Sequence, residues 1–329
     1  MEPLVSICCT TYNHEKYIAD AIDSFLMQET DFPIEIIIHD DASTDNTSNI
    51  IREYERKYPN IIKPIYQTEN QYSKGRKILL RFIYPKVKGK YIAMCEGDDF
   101  WVDPKKLQKQ VDILECYEQY SFCFHAVSIV DTNKVPKGRF WGPYGKGNGE
   151  YSMKDNIKPT FVHLSSLLMR TKYLRNDMPE WYMNSRHGDY ALALYMSTFG
   201  KGYFIDEVMS SYRIGVENSV MTKLRKNFSN EMRLDFYLDF YTERMSTLDK
   251  ADEYYEYRFH DEIEEVNIVN RVGVFLLKND YSKTARAKYK EYVKKYGIKA
   301  ILSYFLSIKA PKFLAMLVKI KHLFKKPKV

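Results

Sequence analysis

Residues 91–104 read YIAMCEGDDFWVDP, in which a short apolar run leads into three acids and then into an Asp-Pro pair. The run at 91–95 predicts a buried β-strand, because a short apolar stretch bounded by polar residues suits a strand covered on both faces. Asp103 and Pro104 predict the start of a helix that continues to about Tyr120, since aspartate caps helix N-termini and proline suits the first turn. The acids therefore fall in the connection between a strand and a helix.

The chain before this stretch alternates strand and helix patterns with short connections. Continuous apolar runs predict strands, and apolar residues that recur every three or four positions predict helices. This alternation predicts an α/β fold with a mostly parallel central sheet flanked by helices. The predicted strands cover residues 4–9, 34–38 and 61–66, and the predicted helices cover 13–27, capped by Asn13, and 47–58.

The chain after residue 130 has a different character. Residues 131–149 are rich in Gly, Pro, Lys and Asn and predict a long loop. A mixed segment follows, and the pattern is helical beyond about Val220. Within the mixed segment we predict a strand near 162–169, a helix from Gly188-Asp189 and a pair of strands across 203–212.

Composition excludes several classes of protein. The chain has 329 residues, of which 45% are apolar and 28% charged, so it can bury a core and is neither disordered nor collagen-like. Its five cysteines form no CxxC pair and no zinc-ligand spacing, which argues against a disulfide scaffold or a structural zinc site. No apolar run reaches the ~18 residues of a membrane span, and the N-terminal residues lack a signal-peptide pattern. We therefore expect a cytoplasmic protein.

The net charge of +7 is unevenly distributed. Residues 281–329 hold fourteen Lys and Arg and one acid, a net charge of +13, whereas the preceding 280 residues hold 36 bases and 42 acids, a net charge of −6. This asymmetry predicts that the basic tail meets an anionic surface and that the acidic body does not bind nucleic acid. Within the tail, residues 312–326 place apolar side chains along one helical face, which favours a helix lying on the inner face of the cell membrane. The alternative is packing on the rest of the chain or on a second copy, so a homo-oligomer stays open.

Acids follow the predicted strands at the points where open α/β sheets bind their ligands. Asp98 and Asp99 follow the fourth strand, and such a carboxylate pair suits Mg²⁺ or Mn²⁺ shared with a diphosphate. The alternative is a turn or cap, which Gly97 followed by two aspartates also favours.

Two further acids have both a functional and a structural interpretation. Asp41 can accept a hydrogen bond from the edge of a base, with Thr10 and Tyr12 supplying a hydroxyl and an aromatic face. The same segment also forms a polar turn before the next helix. Asp189 precedes a helix, where a carboxylate ordinarily interacts with the helix dipole, and a general base is the alternative.

Four motifs in order resemble those of the family 2 glycosyltransferases, which have the A-type nucleotide-sugar-binding fold. The resemblance covers about the first 215 residues and is of the type found in bacterial surface-polysaccharide assembly. The motifs are Val5 to Asn13 (VSICCTTYN), Ile36 to Thr47 (IIIHDDASTDNT), Glu96 to Leu107 (EGDDFWVDPKKL), and Gly188-Asp189 with Tyr212-Arg213 downstream.

The resemblance implies a role for each acid. It implies that Asp41 binds the nucleotide base, that Asp98 and Asp99 bind the metal and diphosphate, with Asp99 as the metal ligand, and that Asp189 is the catalytic base. It also implies that Thr10 and Tyr12 line the nucleoside. Many relatives carry a histidine where this chain has Gly215, so the metal shell relies on Asp99, phosphate and water, or draws on His163 or His187. Arg76 and Arg213 are either contacts to the phosphates or solvated surface arginines.

The implied reaction is direct displacement with inversion. An acceptor hydroxyl attacks the anomeric carbon of a nucleoside diphosphate sugar, expected to be a UDP-sugar, while Asp189 takes its proton. Residues 1–218 would form the catalytic domain, with a donor half at about 1–130 and an acceptor half at about 131–218, and residues 219–329 a helical extension. The implied partners are the donor and a saccharide or lipid-linked saccharide acceptor, and the implied class is hexosyl- or N-acetylhexosaminyltransferase.

Two other functions stay open from the residues alone. A nucleotidyltransferase would also use acids and a metal on an α/β sheet, but the segment Thr10 to Lys16 lacks the glycines of a phosphate-binding loop. A non-catalytic nucleotide-sugar-binding module would have the same pocket with a dispensable Asp189.

Overall fold

The fold was examined in a computed structural model that describes residues 2–75, 77–157, 162–174, 178–186, 188–217, 219, 222 and 230–277. The chain divides into two compact units. Residues 1–228 with 250–259 form the first, and residues 229–249 with 260–329 form the second. No helix among the described residues is both long enough and apolar enough to cross a membrane.

The first unit is built on one sheet whose long strands run in the same direction. The strands are β1 Val5–Thr11, β2 Ile34–Asp40, β3 Ile62–Tyr66, β4 Tyr91–Glu96, β5 Phe100–Trp101, β6 Tyr120–Val130, β7 Pro136–Trp141, β8 Gly149–Tyr151, β9 Leu168–Arg170 and β10 Lys201–Arg213. Their order is β3-β2-β1-β4-β9-β6-β10-β5, with β7 paired to β6 and β8 to β10. The long ladders of β1 with β2 and β4, of β2 with β3, and of β6 with β10 are parallel. The short strands β5, β7, β8 and β9 pair antiparallel, so the predicted mostly parallel α/β sheet is confirmed.

Helices cover the sheet, and two long ones follow it. The α-helices are α1 Ile18–Leu26, α2 Thr47–Lys57, α3 Tyr72–Gly75, α4 Lys106–Cys116, α5 Met153–Ile157, α6 Glu180–Asn184, α7 Gly188–Met196, α8 Asn230–Tyr254 and α9 His260–Leu277. A π-helical turn at Leu79–Ile83 and 3₁₀ turns at Tyr84–Lys86, Leu164–Ser166 and Thr171–Tyr173 complete the described elements. In the second unit Leu248, Ile263 and Val266 are buried, and the Asn267 amide donates to the Asp249 carboxylate at 2.6 Å.

The two faces of strands β1 and β4 have different surroundings, since one faces the hydrophobic core and the other faces a cavity. Val5, Ile7 and Cys9 are fully buried in the cluster that packs against Ile18, Ile22 and Phe25 of α1. The alternate residues of β1 and β4 point to the other face, as the two-residue period of a strand requires. There Cys8, Thr10, Met94 and Glu96 line a cavity.

A buried lysine lies beneath the loop that carries the acids. Lys106 is fully buried in the first turn of α4, where its Nζ donates to Gln110 Oε1 at 2.8 Å and lies 4.0 Å from the centre of the Trp101 ring. No carboxylate among the described residues forms an ion pair with it. Burial lowers its pKa to about 7, and the neighbouring thiols of Cys95 and Cys123 oppose this shift only in part.

Two predicted helix starts differ from the structure. Helix α1 begins at Ile18, because Asn13 adopts a positive φ of 57° and its Oδ1 accepts the Thr44 N–H at 2.8 Å instead of capping the helix. Helix α4 begins at Lys106 and ends at Cys116, short of the predicted Tyr120, which opens β6. Asp103 nevertheless closes the preceding turn, since its carboxylate accepts the Lys105 N–H at 2.8 Å.

Three strand predictions in the second half of this unit were wrong in detail. The predicted loop at 131–149 contains β7, which is exposed along its whole length and depends on pairing with the long strand β6. The predicted strand pair across 203–212 is the single strand β10, whose polar centre forms a bulge between Ile205 and Val208. The predicted strand near 162–169 is a 3₁₀ turn followed by the short strand β9.

Candidate active site

Three carboxylates gather where β4 ends. Glu96, Asp98 and Asp99 each place an oxygen within 4.8 Å of the others. Asp99 is fully buried, and its Oδ1 accepts the backbone N–H of Arg213 at 2.9 Å. The connection is tight because a Cβ at Gly97 would lie 2.7 Å from the Thr11 hydroxyl, so only glycine fits between the acids.

The cluster holds more negative charge than its surroundings neutralise. Burial raises the pKa of Glu96 to about 8, with further contributions from the charges of Asp98 and Asp189. Burial, followed by repulsion from Asp98 and Glu96, raises the pKa of Asp99 well above its usual range. Such carboxylates retain protons unless a cation joins them, and grouped hard oxygen ligands suit Mg²⁺ or Mn²⁺.

Asp99 has one oxygen that would suit such a cation. Its Oδ2 is buried and accepts no hydrogen bond from any described residue. The Nε2 of His163 lies 3.9 Å from this oxygen, beyond hydrogen-bond distance. The residues present therefore fit a divalent cation, with Asp99 Oδ2 as a ligand atom that no described residue occupies.

His163 lies beside the cluster as a neutral imidazole. Burial lowers its pKa to about 4, and its ring packs 4.6 Å from that of Tyr212. Its Nδ1 lies 2.9 Å from the Ser165 hydroxyl and 3.3 Å from the Ser165 backbone nitrogen, and its Nε2 faces Asp99. A neutral imidazole has one unprotonated nitrogen, so His163 stays a predicted ligand beside the cluster.

Arg213 holds the segment that carries Asp98 and Asp99 through buried hydrogen bonds. Its side chain is fully buried, donating to the Asp98 carbonyl at 2.8 Å and to the Asp20 carboxylate at 2.8 Å. The guanidinium also lies against the Tyr17 and Phe100 rings, at 4.6 and 5.0 Å. Arg213 is therefore not a solvated surface residue, so that interpretation was wrong, whereas its contact with the phosphates stays a prediction.

Asp189 borders the same cavity as the end of β4. The cavity has a volume of about 200 Å³, and Thr10, Glu96 and Asp189 supply polar groups to its wall. Aliphatic and aromatic side chains form most of the remainder, namely Ile78, Leu79, Leu80, Met94, Leu164, Tyr182, Met183 and Leu192. Asp189 is the second residue of α7, and burial raises its pKa to about 6. At neutral pH it is a carboxylate with raised proton affinity, as a general base requires.

Asp41 is close to the cavity but already has partners. Its two carboxylate oxygens accept the backbone N–H groups of Gln71 at 2.7 Å and Tyr72 at 3.0 Å. Tyr72 opens α3 and lines the cavity. Asp41 thus fixes one wall of the cavity, and a base contact would use its remaining lone pairs.

The other predicted site residues divide into described and undescribed positions. Tyr12 follows β1 with 39% of its surface exposed, beside the cavity-lining Thr10, and Gly215 follows β10 with a φ of +83°. Arg76, His187 and the basic tail at 281–329 lie outside the described residues. Glu96 opens one of the four motifs, but it was not predicted to join the metal cluster. Its position two residues before Asp98, at the end of a strand, would have indicated this.

The chain belongs to glycosyl transferase family 2, since residues 6–176 match that family's profile. The uncharacterized protein Rv1520 of Mycobacterium tuberculosis is 33% identical over 231 residues, which are 68% of this chain and 63% of that protein. The chain thus spans under two thirds of the length of this relative. The putative teichuronic acid biosynthesis glycosyltransferase TuaG of Bacillus subtilis is 29% identical over 223 residues, covering 67% of this chain and 82% of that protein.

Two solved structures share the fold. S. aureus TarS 1-349 in complex with UDP-GlcNAc superposes with a TM-score of 0.53 at 16% identity, covering 93% of this chain and 91% of that one. The mannosyltransferase PcManGT from Pyrobaculum calidifontis, in complex with GDP-Man and Mn²⁺, gives a TM-score of 0.52 at 14% identity, covering 99% and 88%. At these identities the likeness concerns the fold, which is the A-type fold expected from the sequence.

Proposed function

We propose that this protein is an inverting glycosyltransferase that moves a sugar from a nucleoside diphosphate sugar to an acceptor hydroxyl in surface polysaccharide or glycolipid assembly. The observation that carries the proposal is the meeting of two sets of acids at one cavity. Glu96, which forms one cluster with Asp98 and Asp99, lines the cavity, and Asp189, from a distant part of the chain, lines the same cavity. UDP is the nucleotide and a hexose or N-acetylhexosamine the sugar that we propose, in line with the UDP-GlcNAc bound by TarS.

Each residue has a distinct task in this proposal. Asp189 accepts the proton of the acceptor hydroxyl as that oxygen attacks the anomeric carbon. Asp98 and Asp99 would hold a divalent cation, which would supply positive charge opposite the departing diphosphate. Attack opposite the leaving group inverts the anomeric configuration. Thr10, Tyr12 and Asp41 bind the nucleoside, and Arg76 contacts the phosphates.

The surroundings of the site support this assignment. The mannosyltransferase of the same fold binds Mn²⁺ together with its nucleotide sugar, and TuaG is named for teichuronic acid biosynthesis. The buried, uncommitted oxygen of Asp99 suits a cation, and the raised pKa of Asp189 suits a base. The partners that we propose are therefore a nucleotide sugar and a saccharide or lipid-linked saccharide. Contact of the basic tail with an anionic membrane at the inner face of the cell membrane remains part of the proposal.

Donor binding and turnover test the proposal together. A panel of UDP-, dTDP- and GDP-sugars is titrated by calorimetry with and without Mn²⁺, and nucleotide release is then followed for each donor that binds. We expect Mn²⁺-dependent binding of one donor class and nucleotide release from it.

Asp99→Asn should weaken the Mn²⁺-dependent binding by about tenfold or more, because it removes a charged metal ligand. Asp112→Asn, an exposed change on α4, should leave binding and release unchanged. Binding that is equally tight in EDTA would contradict the metal site. Binding without turnover under any condition would identify a non-catalytic module.

A further inference from the structure

Strand β7 and the turn after it expose three aromatic side chains. Phe140, Trp141 and Tyr144 have 41%, 38% and 47% of their surfaces accessible. The Phe140 and Tyr144 rings contact each other in a tilted arrangement with their centres 4.4 Å apart. The other two tryptophans, Trp101 and Trp181, are buried. Trp141 is therefore the one exposed indole of the chain.

Trp141 is continuous with the candidate active site. Its ring centre lies 6.1 Å from that of His163, and His163 lies 3.9 Å from the buried Asp99 carboxylate. The indole thus packs beside His163, which separates it from the acid cluster, and 38% of its surface is open to solvent. A molecule stacked on Trp141 would lie one side chain away from Asp99.

Arg139 accompanies Trp141 on the same face of the strand. Residues two apart in a strand point to the same side, and Phe140 between them points to the other. Arg139 is exposed and has no hydrogen bond or ion pair with any described residue. The neighbouring lysines are occupied, since Lys134 pairs with Asp20 and Lys137 with Asp131. The ribbon therefore presents one uncommitted guanidinium beside one exposed indole.

The sheet holds this ribbon in place. Asp206, in the bulge of β10, accepts the N–H groups of Gly145 at 2.8 Å and Gly147 at 2.6 Å. Its own N–H donates to Asn148 Oδ1 at 2.8 Å. Both glycines have positive φ values, +81° and +84°, which lets the turn direct these N–H groups at one carboxylate. A fixed turn lowers the ordering cost of binding.

We propose that Arg139 and Trp141 form the acceptor-binding surface, and that the acceptor is a saccharide bearing carboxylate groups, such as a uronate-containing chain. The indole offers a flat apolar face to a sugar ring, and the guanidinium forms a paired, charge-assisted hydrogen bond with a carboxylate. The assignment rests on the proposed transferase function, because it names the acceptor of that same site.

The test uses the exposed indole as its own reporter. The full chain is titrated with tetragalacturonate, with its methyl ester and with a phosphorylated maltotetraose, while acrylamide quenching of tryptophan fluorescence is followed. We expect tetragalacturonate to protect Trp141 from quenching. The uncharged methyl ester should bind about tenfold more weakly or worse, the loss expected for a charge-assisted hydrogen bond.

Variants assign the effect to particular residues. Arg139→Glu should reduce tetragalacturonate affinity by about tenfold or more, whereas Lys146→Glu, an equal charge change in the adjoining turn, should reduce it by no more than about twofold. By calorimetry, Trp141→Ala should abolish binding and Trp141→Phe should retain part of it. Phe140→Ala, on the opposite face of the strand, should bind normally.

The outcomes separate this inference from the proposed function. Equal binding of the methyl ester, tighter binding of the phosphorylated sugar, or an equal effect of Lys146→Glu would overturn the carboxylate-binding surface. Nucleotide release measured on the same protein reports on the transferase independently. Release without tetragalacturonate binding contradicts the surface alone, and binding without release contradicts the enzyme.

Discussion

Lowering the pH from 7 to 5 should reduce kcat, because it protonates the proposed base Asp189. Burial raises the pKa of that carboxyl from 3.8 to about 6. A base with this pKa is about 90% deprotonated at pH 7 and about 10% at pH 5, so kcat should fall about tenfold between these values. Asp189→Asn has no base at any pH and should lose about 10²- to 10⁴-fold in kcat, which corresponds to about 3–5 kcal/mol of transition-state free energy.

The assay is the initial rate of nucleotide release from pH 5 to pH 8 at saturating donor and Mn²⁺. The parent and Asp189→Asn are compared with Asp112→Asn, which alters an exposed carboxylate on α4 that accepts only a hydrogen bond from Gln108. The control should follow the parent curve. A parent rate that is flat from pH 5 to pH 7, or substantial turnover by Asp189→Asn, would refute the role of Asp189 as base.

The same residue also gives a readout that is independent of turnover. A carboxyl whose pKa is raised on folding contributes stability that is fully present below its unfolded pKa near 3.8 and is lost as the pH rises through about 6. At pH 7 the ionised Asp189 carboxylate therefore lowers the free energy of unfolding. The effect is about 2 kcal/mol, a value reduced because the side chain is only half-buried and water screens part of its charge. Asp189→Asn should be more stable than the parent by about that amount in urea unfolding at pH 7, and equally stable at pH 3.

Two further predictions concern residues that support the site. Arg213→Met should lower the free energy of unfolding by about 2–4 kcal/mol in chemical denaturation, because it removes buried hydrogen bonds from a charged donor, although Asp20 remains paired with Lys134. The control Lys134→Met removes an exposed ion pair and should lower the free energy of unfolding by less than about 1 kcal/mol. Equal losses of stability in the two variants would contradict the role of Arg213. Lys106 binds its proton less tightly in the folded protein than in the unfolded chain, because burial lowers its pKa to about 7. The free energy of unfolding of the parent should therefore rise by about 2 kcal/mol from pH 7 to pH 9 relative to that of Lys106→Met. Parallel curves of stability against pH would show that burial does not lower the pKa of Lys106.

Much of the parallel half of the sheet was predictable from local pattern. The strands β1, β2, β3 and β4 are short segments rich in apolar residues, and each was predicted to within a few residues. The predicted positions of Asp98 and Asp99 at the end of β4 follow from the same rule. Because parallel strands present their carboxyl ends at one edge, the sequence also indicated where the acids would meet.

Helix boundaries and edge strands depended on contacts that the local sequence does not encode. Asn13 has the right side chain for a cap, but the Thr44 N–H, thirty-one residues away, takes its oxygen. Strand β7 contains Pro, Gly and Lys and has no buried residue, so only the free edge of β6 makes it a strand. In β10 the polar centre resembles a turn, but it forms a bulge because Asp206 accepts two N–H groups from a distant glycine turn.

Within the site, local sequence likewise indicated some residues, and long-range contacts decided the positions of others. Residue type and position after a strand were enough to indicate Asp98 and Asp99, whereas the role of Asp189, at a helix start, came only from the resemblance to the family. Only the tertiary structure showed that Arg213 is buried against Asp20, that Asp41 accepts two backbone N–H groups, and that Trp141 lies beside His163. Hydrogen bonds and ring contacts of this kind join residues far apart in the chain, and their formation depends on packing distances that no local spacing specifies.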